Sequence, residues 1–272
     1  MARPDRAVDR ILSTTTMWRS LPPEIFDLIV DLLCDEPTTL KMCCVASKSW
    51  VPRTRRHLFA RVELDTLGPP IESWMKAFPD PSNSPAHHTR ALTIRGTRSV
   101  IAAGADVDRW IRAFHNVVHL HLDILGWSND QASFAPFHGL SPTVRSLHLS
   151  FTSVPPSEVF GLLCSFPLLE GFTLLAFSHK DEVEGCTAPS SPRLTGSLGL
   201  RILAEGISHT ARRLLCLPNG LHFTRIELLC VCEADFKSTT DLVSECSDTL
   251  EHLDVADGFS GVFPLPLLLI DA

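Results

Sequence analysis

The sequence lacks the marks of most catalytic and membrane classes. No glycine-rich phosphate loop opens a helix, and no Cys-x-x-Cys pair occurs. Gly258-Phe259-Ser260-Gly261 falls short of a nucleophile elbow, because Val262 stands where the second glycine belongs. The longest apolar run, 262–270, is broken by Pro264 and Pro266 and is far shorter than a membrane span. Nothing after Met1-Ala2-Arg3-Pro4-Asp5 resembles a secretory signal. The nine cysteines are odd in number and follow no framework spacing, so reduced thiols in the cytoplasm or nucleus are expected. Positive charge is also scarce. The formal net charge of −7 argues against a general polyanion binder. Lys48, Arg53, Arg55, Arg56 and Arg61 cluster locally and read as a solvated helix face.

What is present is globular: 44% hydrophobic and 20% charged residues. At 272 residues the chain can hold one small module and one larger domain. Residues 21–59 set the organisation. Ile25, Leu28, Ile29, Leu32 and Leu33 fall at i, i+3, i+4, i+7 and i+8, one apolar stripe along a helix. Pro22 and Pro23 sit where a first turn tolerates proline. Pro37 is read as the stop of that helix, with Thr38 or Thr39 capping a second through Leu40, Cys43 and Val45. A third is expected over 51–59, with Pro52 near its start. Three short helices in about 40 residues need a further surface to bury the stripe.

Leu21-Pro22-Pro23-Glu24-Ile25, the pair Ile29 and Leu33, Val45-Ala-Ser-Lys-Ser-Trp50 and Arg56-His57-Leu58-Phe59 together resemble an F-box of the kind found in fungal F-box proteins, over roughly residues 18–64. The resemblance implies docking onto the Skp-type adaptor of a cullin ubiquitin ligase. Leu21, Pro22, Ile25, Ile29, Leu32, Leu33, Leu40 and Trp50 are the implied contact residues. The pattern is also open to a plainer interpretation, an N-terminal helical cap on a repeat domain.

Beyond the helices, a spacing of apolar, two any, apolar, one any, apolar recurs. It reads Val117, Leu120, Leu122; Val144, Leu147, Leu149; Leu169, Phe172, Leu174; Phe223, Ile226, Leu228; and Leu250, Leu253, Val255. Thr89, Leu92, Ile94 and Thr195, Leu198, Leu200 are copies headed by threonine. Successive first positions, from 89 to 250, are 28, 27, 25, 26, 28 and 27 residues apart. Phe59, Val62 and Leu64 fit one copy more, 30 residues earlier. Such a period predicts a solenoid. The alternation in each copy predicts a short strand, near 62–64, 91–95, 118–123, 145–150, 170–175, 197–202, 224–229 and 251–255. Helical spacing lies between them at Ile71, Trp74, Met75 and Phe78, at Val107, Trp110, Ile111 and Phe114, and over 156–166, 211–217 and 238–246. Residues 178–192 are polar and proline-rich and read as a surface loop replacing a helix.

This spacing resembles the irregular leucine-rich repeats that follow F-boxes. The usual asparagine or cysteine position departs from the family, being Thr97, Leu125, Thr152, Phe177, Val231 and Gly258. The side-chain ladder of standard repeats is therefore expected to be missing. An α/β domain with unequal crossovers is the alternative. The C-terminal residues 256–272 offer no polar capping helix, so either the array continues or the tail folds back.

The alternating polar positions form one strand face, expected to be concave and to bind a target protein. Thr93, Arg95, His121, Asp123, His148, Arg225, Glu227 and His252 are its candidate contacts. If Leu120 and Leu147 are equivalent, His121 and His148 are neighbours about 4.8 Å apart on adjacent strands, with His119 and Asp123 on the same face. Such a group suits a metal or a pH-sensitive contact, or simply a solvated face; no metal is assigned. The face lacks the aromatic residues expected of a single-stranded nucleic-acid groove. Cys43 and Cys44, and Cys230 and Cys232, read as packing residues.

The sequence therefore predicts an α/β chain: a leader over 1–17 without order, a three-helix F-box over 18–61 and an irregular leucine-rich-repeat-like solenoid over 62–272, with parallel strands on one face and helices on the other. The expected function is that of a non-enzymatic, monomeric substrate adaptor of a Skp–cullin–F-box ligase, without cofactor, nucleic acid or membrane partner. A repeat scaffold with no ligase role and an α/β enzyme are the alternatives.

Overall fold

The computed structural model describes residues 22–65, 71–96, 109–124, 134–140, 142–151, 154–176, 193–202, 207–229 and 235–256. The 1–17 leader, Leu21, the 178–192 loop, the six positions from Thr97 to Gly258 named above, Cys230, Cys232 and the 262–270 run lie outside them. The chain divides into two compact units, Met1–Ala60 and Arg61–Ala272.

The first unit has three helices: α1 (Pro23–Leu32), α2 (Pro37–Ala46) and α3 (Val51–Leu58). Each opens with proline at its first or second position, and none has a side-chain cap. Proline supplies helical φ where the backbone N–H is unpaired in any case, so it starts the helix unaided. Pro37 thus begins α2; Thr38 and Thr39 lie inside its first turn and cap nothing. Val30 on α1, Leu40 and Cys43 on α2 and Thr54 on α3 are the buried side chains. Trp50 is half-buried and meets the Phe26 ring at 5.5 Å.

The second unit is α/β. Eight strands, β1 (Arg61–Asp65), β2 (Ala91–Gly96), β3 (His119–Ile124), β4 (Ser146–Phe151), β5 (Gly171–Ala176), β6 (Ser197–Ile202), β7 (Arg225–Leu229) and β8 (His252–Ala256), form one sheet in sequence order, every pair parallel. Between them lie α4 (Ile71–Ala77), a helical turn at 109–111, the short α5 (Ala135–His138), α6 (Pro156–Cys164), α7 (Ile207–Leu215) and α8 (Phe236–Glu245). Strands that follow sequence order through helical crossovers are a solenoid-like arrangement, unlike a doubly wound sheet whose order reverses.

The register equates the second apolar position of every copy: Val62, Leu92, Leu120, Leu147, Phe172, Leu198, Ile226 and Leu253 form one row. Leu64, Ile94, Leu122, Leu149, Leu174, Leu200, Leu228 and Val255 form a second. Both rows are buried from β1 to β7 and half-exposed at β8. The core lies between this face and the helices, where Phe114, Phe134, Phe137, Phe166 and Phe223 are fully buried. Trp74 of α4 packs on Phe114 with ring centroids 5.5 Å apart, tying one repeat to the next.

Two sets of hydrogen bonds link neighbouring repeats. At strand entry, the carbonyl of Arg90 accepts from Val118 and His119, that of Val118 from Arg145 and Ser146, and that of Arg145 from Glu170 and Gly171. The series continues through Glu170, Gly196 and Thr224. Polar side chains just before the strands reinforce it: Asn116 donates to the His87 carbonyl (2.7 Å), Thr143 to that of Val117 (2.8 Å) and Thr249 to that of Phe223 (3.1 Å). On the helix side, acids cap the preceding repeat's helical segment. Glu158 accepts from the Phe134 N–H at 3.1 Å, and Asp235 from the Ser208 N–H at 2.9 Å.

Strand entry is tightest at Gly196, where an added Cβ would lie 2.8 Å from the Glu170 carbonyl oxygen. Gly161 on α6 has nothing within 4 Å of the same position. Gly196→Ala is therefore expected to cost about 1–3 kcal/mol, since backbone must move. Gly161→Ala is expected to stabilise the chain by about 0.4–1 kcal/mol through lost unfolded-state entropy. Denaturant midpoints of the two variants check this; shifts of the same sign would refute it.

Candidate functional site

Two surfaces carry the candidate residues, one in each unit. In the helical unit the stripe on α1 faces solvent: Ile25 is 40% exposed, Leu28 58% and Leu32 85%. Ile29 and Leu33 are half-buried and Pro22 is exposed. On α2, Met42 is 68% and Val45 87% exposed. Of the seven large hydrophobic residues exposed among the described residues, five thus fall within 25–45, too dense a group to be the scattered apolar residues of an ordinary surface.

The expected contact residues differ in accessibility. Leu40 is 1% exposed and packs inside the unit; Trp50 is half-buried, with its ring 5.5 Å from that of Phe26. Leu28, Met42 and Val45 belong on the surface instead. Leu28 was visible in the stripe. α2 is apolar nearly all round, through Leu40, Met42, Cys43, Cys44, Val45 and Ala46, so periodicity alone selects no face of it.

The orientation of α1 is set by a polar tie. Asp31 accepts from Arg53 Nε at 2.7 Å, also pairs with the Arg53 Nη2, and meets His57 Nε2 at 2.7 Å. Arg53 is therefore no member of a free basic face, whereas Lys48, Arg55, Arg56 and Arg61 are exposed. Hydrogen bonding from Arg53, then from His57, holds the Asp31 carboxyl well below the usual carboxylate range. A carboxyl whose pKa is depressed on folding contributes stability above its unfolded value, near pH 4, and loses it as pH falls through the folded value. Asp31→Asn is expected to lower the melting temperature at pH 7 and to flatten the acid decline below about pH 4. Thermal melts of both proteins at pH 7 and pH 3 check this. An equal difference at the two pH values would count against the tie.

The second surface is the solvent-facing side of the sheet. Register places Thr93, His121 and His148 side by side in one row, with Arg95 and Asp123 in the next. Arg225 and Glu227 lie on β7, and His252 faces Arg225 from β8. The eight expected contacts thus form two clusters rather than one. Between them β5 and β6 present Gly171, Thr173, Ser197 and Gly199, with Leu175 and Arg201 in the row of Asp123 and Ser150. Both candidate arginines have acid partners. Arg95 pairs with Glu63 at 3.3 Å, and Arg225 Nε with Glu227 at 2.8 Å. Glu63, on the strand following the helical unit, went unnoticed in the sequence; its register with Thr93 was the available signal. At the outer edge, Arg225, Glu251, His252 and Asp254 line a shallow recess.

His121 and His148 meet across the register with ring centroids 4.1 Å apart in an edge arrangement. Burial pushes the pKa of both below the ordinary imidazole value, and for His148 the neighbouring His121 adds to the lowering. Among the described residues no group of three or more His, Cys, Asp or Glu is placed to hold a metal ion. Among the same residues no helix is long and apolar enough to cross a membrane. Cys43 is buried and Cys44 half-buried, both as free thiols. Comparisons with protein-family models, curated proteins and solved structures give no match for this chain.

Proposed function

We propose that this chain is the substrate-recognition adaptor of a Skp–cullin–F-box ubiquitin ligase. In this reading the helical unit is an F-box that docks onto the Skp-type adaptor, and the sheet is an irregular leucine-rich-repeat array whose solvent face holds a target protein. The observation that carries it is the uncovered apolar stripe of Ile25, Leu28 and Leu32. A monomer has no reason to leave three such side chains in water unless a partner covers them. The ordered F-box-like signature around the stripe supplies the identity of that partner.

Covering a large apolar side chain contributes roughly 1.5–3 kcal/mol. Five such residues within 25–45 supply enough to outweigh the cost of association. The strand face, with its paired charges and small central groups, suits a folded protein surface. Holding the target there makes ubiquitin transfer by the rest of the ligase effectively intramolecular. The protein acts as a monomer outside the ligase, in the cytoplasm or nucleus, without a cofactor.

Co-expression of the full chain with a Skp-type adaptor tests the reading. A stable one-to-one complex is expected on size exclusion. Adaptor eluting wholly apart from the chain would leave the helical unit as part of a repeat scaffold with no ligase role.

A further inference from the structure

We propose that His121 and His148 form one coupled, proton-responsive element in the solvent face of the sheet, which gives any protein seated over β3 and β4 a pH-dependent contact. The pH-dependent contact rests on the reading of this face as a target surface; the coupling itself does not.

The geometry is set by the fold. The two residues are direct partners in the β3–β4 register, so their Cβ atoms leave the sheet side by side. Their rings meet at 4.1 Å between centroids and 65° between planes. Each ring is half-buried. Two imidazolium ions at that separation repel strongly in a partly dehydrated site, so the first proton opposes the second.

The surroundings decide how much of this repulsion is relieved. The facing charged groups are Glu63 from β1, Arg95 from β2 and Asp123 from β3, which also carries the imidazole of His119. β4 contributes Ser146 and Ser150 and β5 contributes Thr173, none of them charged near neutral pH. Glu63 and Asp123 favour a proton on His121 and Arg95 opposes it; Asp123 favours one on His148. Glu63 is already paired with Arg95, which blunts its help. Asp123 is left as the acid that stabilises a single proton on the pair. The pair therefore passes from neutral to singly protonated as pH falls below the ordinary imidazole range, and gains a second proton only at the expense of the ring contact.

A histidine whose folded pKa is lowered leaves folding unaffected above the unfolded value, near 6.5, and destabilises it as pH falls from there through the folded value. The pair thus makes the centre of the sheet progressively less stable as pH falls through mild acid, and a protein that buries the rings further is released there.

The test is a pH titration of the full chain followed by NMR of its histidine ring carbons. His121→Asn and His148→Asn variants assign the two residues. In the unsubstituted chain both rings are expected to report the same two-step curve, with midpoints below that of an exposed histidine. In His148→Asn, the His121 curve should become a single step with its midpoint moved upward. If either variant misfolds, the shape of the unsubstituted curve decides alone: two steps shared by both rings support the pair, and independent single steps overturn it. An unchanged His121 midpoint in folded His148→Asn also overturns it. Failure to find a protein that binds this face would sink the target-surface reading and leave the titration result standing.

Discussion

Exchange of Leu28 and Leu32 for aspartate is expected to abolish capture of a Skp-type adaptor while leaving the melting temperature of the free chain unchanged or higher. Both side chains lie mostly in water in the free chain, 58% and 85% exposed, so the fold gains little from them. In the proposed complex both are covered. Losing two buried leucines removes roughly 3–6 kcal/mol of apolar burial, about 10²–10⁴-fold in affinity, before the cost of burying two carboxylates is added. The informative control is Leu40→Ala. That residue is 1% exposed, so its truncation is expected to lose about 2–5 kcal/mol of stability and to weaken capture only through misfolding. Capture assays paired with thermal melts separate the two. A double aspartate variant that still captures the adaptor, or one that melts well below the parent chain, would mean the stripe serves the chain's own fold.

The second large effect is expected in the sheet. Phe172→Ala should lose about 3–5 kcal/mol, a large share of a typical domain's 5–15 kcal/mol. Phe172 is fully buried near the start of β5, with Leu147 and Leu198 on either side in the same row. Its ring is the largest member of a ladder otherwise built of valine, leucine and isoleucine, and no neighbour in that row can swing in to fill the space. Leu253→Ala occupies the equivalent place on β8, where the row is already half-exposed. It should cost clearly less. Urea midpoints of the two variants check the gradient, and equal losses would contradict a core concentrated in the central strands.

Much of the sheet was legible because its code is redundant. Each strand needs only two apolar residues two apart, and eight copies at a near-constant period fix their own register. The connections absorb the steps of 25 to 30 residues, so unequal spacing does not disturb the rows. Position 196 shows the cost of the closest approach, which glycine alone accommodates. What stayed hidden depends on partners far away in sequence. α7 begins at Ile207, four residues before its periodic stripe at 211, because the Asp235 carboxylate from the next repeat satisfies the Ser208 N–H. The short α5 has no room to show a period, and Pro136 in its first turn is its main signal. The rungs from Asn116, Thr143 and Thr249 bridge neighbouring repeats at strand entry, and nothing in an apolar spacing points to them.

The candidate surfaces were legible to different degrees for similar reasons. The stripe on α1 follows from helical spacing, and Ile25, Leu28 and Leu32 are its exposed members. The face of α2 did not follow, since a helix apolar on all sides is oriented by its neighbours. Arg53 read as part of a basic run and His57 as part of the helical signature, whereas their partner Asp31 stands 22 and 26 residues away. On the sheet, alternation alone located the polar face, and the His121–His148 contact followed from register. Pairing of Arg95 with Glu63 and of Arg225 with Glu227 did not, and it leaves that face far less cationic than its sequence suggests.

Hydrogen exchange of the full chain with and without a Skp-type adaptor tests the two-surface account most directly. Slowed exchange confined to the α1 and α2 segments, including residues 25–33 and 42–46, with unchanged exchange across β1 to β8, is the result it predicts. Slowed exchange in the strands with none in α1, or no change anywhere at saturating adaptor, would contradict it.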